Sequence, residues 1–181
     1  MTVTRIPFTT EEAWLAERAK DITSTEIAAL YGLSPYCTAF ELWHQKQGLY
    51  VEDFESNDRI KWGTRLQDAI AAGVAEDMEW HAKRLDDYMR DEDARLGASF
   101  DFEVVCQERG RGLMEIKNVD RSAFYDKWLD LPSGIEGPQH IELQVQQQME
   151  VGDYDWCALV ALVGGNDAKV TIRERDREIG Q

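Results

Sequence analysis

The run Gly112-Leu113-Met114-Glu115-Ile116-Lys117 constrains the fold more than any other segment, because charged and apolar side chains alternate within a strand-forming stretch. A β-strand sends successive side chains to opposite faces, so Glu115 and Lys117 project the same way while Met114 and Ile116 point into a core. An acid and a base are thereby set side by side. If Asp101 arrives from a neighbouring strand, two carboxylates can hold a hard divalent cation, with the ammonium in reach of a metal-bound water or a substrate phosphate. That is the arrangement expected of a metal-dependent phosphodiesterase. A Glu-x-Lys pair also occurs on strands by chance, and an exposed ion pair contributes little, so the surrounding sequence carries weight.

The chain has 181 residues, 43% hydrophobic and 30% charged, which fits one domain with a hydrophobic core. No apolar run approaches the roughly 20 residues that span a bilayer. The N-terminus, Met1 to Pro7, lacks the apolar segment of a secretory signal. A cytoplasmic protein without membrane association is expected. Cys37, Cys106 and Cys157 are odd in number and far apart, a pattern of buried or semi-buried thiols and not of a disulfide framework or zinc site. His44, His81 and His140 are isolated and read as ordinary polar residues.

Net charge is −15, from 20 basic and 35 acidic residues. That argues against a broad basic surface for nucleic acid. It leaves room for a nuclease, because metal-binding carboxylates are acidic by necessity and a local lining of Arg and Lys can still hold phosphates. Much of the surplus lies in runs such as Glu52-Asp53-Phe54-Glu55 and Asp91-Glu92-Asp93, whose plainest reading is solvated loop or helix end.

Thr9-Thr10-Glu11-Glu12 predicts a capped helix start, and Thr23-Ser24-Thr25-Glu26 a second, stopped by Gly32. Ser34-Pro35-Tyr36 is a turn, followed by a helix from Ala39 to Gln47 that ends at Gly48. Val51 to Asp58 reads as loop. Ile60, Leu66, Ile70 and Val74 recur at helical spacing, so a long amphipathic helix is expected from Arg59 to Glu76. The period then changes: Trp80 to Leu85, Leu96 to Phe100, Phe102 to Gln107 and Gly112 to Lys117 read as strands, with Glu108 to Arg111 as a hairpin turn. A short helix from Arg121 to Leu129, a loop from Gly134 to Pro138 and a helix from Gln139 to Val151 follow. Strands Trp156 to Val163 and Ala168 to Arg173 close the chain around the turn Gly164-Gly165-Asn166-Asp167. The pattern is mixed α/β or α+β, without internal repeats.

Five ordered blocks now resemble the lambda-exonuclease, or YqaJ-type viral recombinase, family of PD-(D/E)xK nucleases. They are Trp14 and Arg18 with Ile22 to Ile27; Gly63-Thr64-Arg65-Leu66-Gln67; Tyr88 to Glu92 through Ser99-Phe100-Asp101-Phe102; Glu115-Ile116-Lys117; and Gln144 to Met149. The resemblance covers roughly residues 14 to 175. The resemblance implies a restriction-endonuclease-like core, a central mixed β-sheet flanked by helices, in a single domain spanning 1–181. Within it, residues 1–50 would form a helical part that binds DNA ends and residues 59–175 the catalytic core.

By the same resemblance, Asp101, Glu115 and the backbone carbonyl of Ile116 would ligate Mg²⁺ or Mn²⁺, and Lys117 would orient or deprotonate the attacking water. Gln144 would reach in from its helix, and Arg18 and Thr25 would bind the 5′-phosphate of DNA. Thr25 stands where serine is more familiar and retains the hydroxyl. Asp91 matches a further family acid, while its residue context alone reads as a solvated turn carboxylate.

Gln67 stands where the family usually has glutamate. A neutral amide oxygen there would weaken a second cation's binding more than the first's. An amide ligand is the favoured reading. Lowered activity is another, and a shift of the role to Asp68, about 100° away on the same helix, is the least attractive. Relatives continue into a C-terminal helical segment beyond the last strand, which bears on whether a ring-shaped homotrimer forms. Arg173, Arg175 and Arg177 are spaced to form a basic face toward DNA or to stand exposed without partners.

The implied activity is degradation of one strand of duplex DNA from its 5′ end. Double-stranded DNA ends would be the substrate, and a single-strand annealing protein the recipient of the product, in a bacterial host with the gene carried by phage or prophage. Trp14, Tyr36 and Trp43 could stack on a frayed end, but their helical spacing makes core packing the expected role for at least two of them. An endonuclease of the same superfamily is the runner-up. A catalytically impaired DNA-end-binding or partner-docking protein, marked by Gln67, is the rival from another class. An acidic mimic of DNA would leave the Glu-x-Lys strand unexplained.

Overall fold

The computed structural model describes residues 2–49 and 58–179. In chain order the elements are β1 (Val3–Pro7), α1 (Glu11–Arg18), β2 (Ile22–Thr23), α2 (Ile27–Leu30), α3 (Ala39–Lys46), α4 (Asp58–Asp77), β3 (His81–Arg84), β4 (Asp87–Asp91), β5 (Leu96–Ala98), β6 (Phe102–Cys106) and β7 (Gly110–Val119). There follow α5 (Arg121–Lys127), β8 (Leu129–Leu131), β9 (Gly134–Glu136), α6 (Gln139–Gly152), β10 (Trp156–Val163) and β11 (Asp167–Glu174). The stretch expected as loop from Val51 lies outside the described residues, apart from Asp58, which opens α4.

The alternation in β7 organises the molecule. This strand sits at the centre of a five-stranded sheet ordered β11-β10-β7-β6-β3, parallel to β10 and antiparallel to β6. A parallel pair needs a long crossover, and the segment holding α5, β8, β9 and α6 supplies it. On one face Met114 and Ile116 pack with Ile70, Ala71 and Val74 of α4. On the other, Leu113 and Val119 pack with Val145 and Met149 of α6. Each fully buried aliphatic side chain here contributes about 1.5–3 kcal/mol. The sheet is thus held between two helices, and Glu115 and Lys117 lie on the α6 side.

Gly112 lets this pairing happen. A Cβ there would sit 2.2 Å from the Trp156 ring, so only glycine tolerates the close approach.

A second, four-stranded sheet is ordered β1-β4-β5-β2, and three of its strands, β1, β2 and β4, went unread in the sequence. The expected helix start at Thr23 is instead the end of β2, and its helix begins only at Ile27. The strand expected from Leu96 to Phe100 stops at Ala98. The chain then bends through Asp101 and enters the other sheet at Phe102. Residues 134–136 are strand, not loop, pairing with β8, whose first residue, Leu129, was expected to end the preceding helix. The N-terminal part is accordingly not purely helical, since β1 pairs along its whole length with β4.

Charge placement explains several of these differences. Arg90 and Asp91 make β4 look like surface, yet both are buried because each has partners. Arg173, Arg175 and Arg177 form no free basic face: they pair with Glu142, with Glu150 and Asp153, and with Asp155. Cys106 and Cys157 are buried and Cys37 half-buried, as expected.

Candidate active site

Asp101 occupies the bend between the two sheets. Its Oδ2 accepts the backbone N–H of Ile116 at 2.9 Å and its Oδ1 accepts the Gln67 amide at 2.8 Å. The first bond ties the carboxylate to β7 directly beside Glu115, and the second brings α4 to the site. Asp68, one residue on, turns away to an exposed ion pair with Arg84 at 2.9 Å. That agrees with the helical geometry that made it the least attractive substitute for Gln67.

Glu115 is buried, with 4% of its surface exposed. A buried carboxylate must be paired and hydrogen-bonded, and α6 supplies most of the partners. Lys117 Nζ donates to Glu115 Oε1 at 2.7 Å and to Gln144 Oε1 at 3.0 Å, while Gln144 Nε2 donates to the same Glu115 oxygen at 2.7 Å. Gln148 Nε2 donates to Glu115 Oε2 at 2.8 Å and to the Ser99 carbonyl at 2.9 Å. Its Oε1 is buried without a hydrogen-bond partner among the described residues. Gln148 lies four residues after Gln144, hence on the same helical face, and that spacing was the available signal for it. Gln147 turns elsewhere, to the carbonyls of Ile22 and Gly97.

Two acids share one ammonium here. Burial and the nearby Glu115 carboxylate push the Asp101 carboxyl up to about 7, against the opposing hydrogen bond from Ile116. Burial works to lower the Lys117 amine, but the Glu115 carboxylate, with Asp101 beyond it, holds Lys117 above its ordinary value. Lys117 is therefore an ammonium at neutral pH. Cys157 lies close enough to feel Glu115, and burial pushes its thiol well above the ordinary range, so it is no nucleophile.

Among the described residues, no three His, Cys, Asp or Glu side chains gather into a metal cage. The oxygen donors gathered here are the carboxylates of Asp101 and Glu115 and the amide oxygens of Gln67, Gln144 and Gln148. Such hard oxygen donors in small number suit a cation that keeps several waters.

Arg18 and Thr25 meet away from this network. Arg18 Nη2 lies 3.0 Å from Thr25 Oγ1 and 3.4 Å from Thr23 Oγ1, and the guanidinium stacks 4.6 Å from the Trp14 ring centre. No carboxylate lies within ion-pair distance of Arg18 among the described residues, and burial lowers its pKa. Trp14 is half-buried and donates to Ser99 Oγ at 2.8 Å, whereas Tyr36 and Trp43 are 76% and 55% exposed. Core packing therefore claims at most one of the three. Tyr36 stands edge-on to His140, 5.8 Å between ring centres. Asp91 stays outside the network: its Oδ1 accepts the backbone N–H groups of Asp93 and Ala94, capping the turn after β4.

No helix among the described residues is long and apolar enough to cross a membrane. The fold is shared with an alkaline exonuclease, LHK-Exo, from Laribacter hongkongensis, at a TM-score of 0.70 and 21% identity, covering 93% of this chain and 84% of that one. A crystal structure of LHK-Exo in complex with dAMP superposes equally well, at 0.70 and 23% identity, over 94% of this chain and 85% of that one. The uncharacterized protein YqaJ of Bacillus subtilis is 27% identical over 172 residues; these are 93% of this chain but 51% of that protein, so the chain spans about half the length of its curated relative. The family model for the YqaJ-like viral recombinase domain matches residues 13–155, most of the chain and every residue of the Asp101, Glu115, Lys117 and Gln144 network, and the chain belongs to that family.

Proposed function

We propose that the chain is a metal-dependent deoxyribonuclease that hydrolyses phosphodiester bonds, digesting one strand of duplex DNA from its 5′ end to leave a 3′ single strand for recombination. The observation that carries this reading is the single hydrogen-bonded network joining Glu115, Lys117 and Gln144, with Asp101 held against it through the Ile116 amide. Asp101, Glu115 and the Ile116 carbonyl would hold Mg²⁺ or Mn²⁺. When bound, such a cation polarises a phosphate and lowers the pKa of its water.

The chain's own residues divide the remaining work. Lys117, fixed by Glu115 and Gln144 and protonated, donates hydrogen bonds and so orients the water or a phosphate oxygen near developing negative charge. Gln144 and Gln148 lock the Glu115 carboxylate from α6, fixing which lone pairs it can offer. Gln67 does the same for Asp101 from α4. Arg18, whose hydrogen-bond partners are hydroxyls and not acids, has its charge free for a 5′-phosphate, with Thr25 beside it.

Linear duplex with a 5′-phosphate, incubated with Mg²⁺, should release acid-soluble nucleotides, and Lys117→Ala should reduce the rate by about a hundredfold or more. Release that persists in excess chelator would overturn the metal reading. Closed circular DNA should stay intact; cutting it would make the enzyme an endonuclease.

A further inference from the structure

Positive charge reaches the two acids from both sides of the sheet. Lys117 stands on the α6 side and is committed to buried Glu115 at 2.7 Å. Arg84 stands on the α4 side and is committed to nothing buried. It is the last residue of the edge strand β3, opposite Phe102 in the register, and the next residue, Leu85, donates its N–H to the Asp101 carbonyl at 3.2 Å. Its guanidinium lies 5.6 Å from the Phe102 ring centre and close enough to Asp101 to pull that carboxyl's pKa down.

The partners of Arg84 are of two kinds. Asp68 at 2.9 Å and Asp86 at 3.5 Å have side chains 73% and 78% exposed, and such pairs hold weakly against water. The third partner is Gln67 Oε1, at 3.4 Å from Nη2. A guanidinium can only donate, so Gln67 must turn its oxygen to Arg84 and its NH₂ to Asp101. Arg84 thus orients the amide that fixes Asp101, while its own side chain remains 39% exposed at the rim.

We infer that Arg84 is a phosphate-contacting residue: the backbone of bound DNA displaces Asp68 and Asp86 from its guanidinium, which then holds a phosphate next to Asp101. A planar fork of N–H donors matches two phosphate oxygens, and the exchange replaces two exposed ion pairs with one made at a partly desolvated site. Asp68 and Asp86 act as resting partners that keep the arginine extended over Phe102. The inference rests on the nuclease reading but adds a substrate contact to it.

The test is fluorescence anisotropy with a 5′-phosphorylated duplex and Mg²⁺, in a Lys117→Ala background that does not consume the DNA, each variant checked for folding by circular dichroism. Arg84→Ala should weaken binding about tenfold and lower the slope of log K against log salt by about one, the signature of one lost phosphate contact. Arg84→Lys should recover the slope but only part of the affinity. Asp68→Asn should tighten binding about two- to threefold by releasing the arginine, and most of that gain should vanish when Arg84→Ala is also present. Arg177→Ala, at another exposed ion-paired arginine, should leave the slope unchanged.

An unchanged slope in Arg84→Ala overturns the inference, as does an Asp68→Asn loss equal to that of Arg84→Ala, which would mean that the ion pair only supports structure. Hydrolysis by the protein with Lys117 intact separates the two levels: if it persists while the slope stays fixed, the nuclease reading stands and this inference falls. Failure of every variant to bind duplex, together with no hydrolysis by the protein with Lys117 intact, overturns both. Thermal shift with inorganic phosphate alone should move the parent and Arg84→Ala equally. An Arg84-dependent shift there without a duplex effect marks a free-anion site and overturns the contact with DNA backbone.

Discussion

Asp21 and Asp101 are carboxylates placed where the chain enters a sheet, and they are compensated in opposite ways. Asp21, 2% exposed, accepts from Tyr88 Oη at 3.0 Å, Arg90 Nε at 2.7 Å and Arg95 Nε at 3.4 Å, and Arg90 reaches on to Glu17 at 3.0 Å. Two guanidiniums answer two acids. At the other cluster, Lys117 is the one cation hydrogen-bonded to an acid, on Glu115, while Asp101 accepts only from a neutral amide and a backbone N–H, with Arg84 further out. The first cluster closes its charge from within and ties α1 and β2 to β4. The second is less fully compensated, and burial first, with the Glu115 charge beside it, drives the Asp101 carboxyl to about 7.

Even the local sterics serve the first cluster. A Cβ on Gly97 would fall 1.7 Å from the Tyr88 hydroxyl, so glycine is what lets Tyr88 lie across β5 to reach Asp21.

If the Asp21 cluster is structural, breaking it should cost stability and little else. Asp21→Ala strands Arg90 and the Tyr88 hydroxyl in the interior, and losing one partner of a buried ion pair costs about 3–5 kcal/mol. In a domain of this size that lowers the thermal midpoint by roughly 10 °C. Calorimetric affinity for Mn²⁺, measured below the transition, should be unchanged. A loss of metal affinity comparable to the loss of stability would erase the distinction between the clusters.

The second cluster predicts the reverse. Asp101 has an ordinary pKa of 3.8 and a folded value of about 7, so between these limits the folded protein binds more protons than the unfolded chain and stability falls as pH rises. The penalty is absent below about pH 4 and complete above about pH 7, amounting to about 2 kcal/mol once partial exposure is discounted. Glu17 has the opposite sign, held below its ordinary value by Lys20 and Arg90, so its stabilisation is lost only as pH falls through the acidic range. Metal-free protein should therefore melt lower at pH 8 than at pH 6. Asp101→Asn should raise the midpoint at pH 8 and flatten that slope, while Mn²⁺ binding weakens. Destabilisation by Asp101→Asn at pH 8 would show that the surplus charge is already compensated.

How much of this was legible in the sequence depended on distance along the chain. The period-2 pattern of β7 displayed Glu115 and Lys117 on one face with no tertiary information, and the apolar spacing of α4 did the same for its packed face. Asp101 was singled out beside that pattern and Gln67 and Gln144 through family resemblance; Gln144 joins Lys117 and Glu115, and Gln67 joins Asp101, which is tied to β7 through the Ile116 amide. What stayed hidden was burial earned through distant charge. Nothing near Arg90 in the chain announces its burial, because Asp21, the acid that lets it be buried, is 69 positions away. The acids that neutralise Arg173 and Arg175 lie 31 and 25 positions away on α6. Composition cannot reveal such pairs, so β4 went unread, and Arg173, Arg175 and Arg177 read as a basic face or as exposed charge without partners when all three are paired.

Gln148 gives the finest test of how the two clusters differ. Its amide bridges Glu115 Oε2 and the Ser99 carbonyl, so it holds a charged side chain from the interior as Tyr88 holds Asp21. If it only satisfies buried groups, Gln148→Met, close in size and without polar atoms, should lower stability by about 1–2 kcal/mol for the stranded acceptors and leave kcat alone. If it instead orients Glu115 toward a cation, the same change should lower metal affinity or kcat about tenfold, the usual scale for residues that position a ligand, beyond any loss of folded protein. The second outcome is expected, because Oε2 is the Glu115 oxygen not already held by Lys117 and Gln144. Freed of Gln148, that oxygen can rotate while the fold around it stays closed. Equal activity per folded molecule in parent and variant would move Gln148 into the structural class with Tyr88 and leave Lys117 and Gln144 to fix Glu115 unaided.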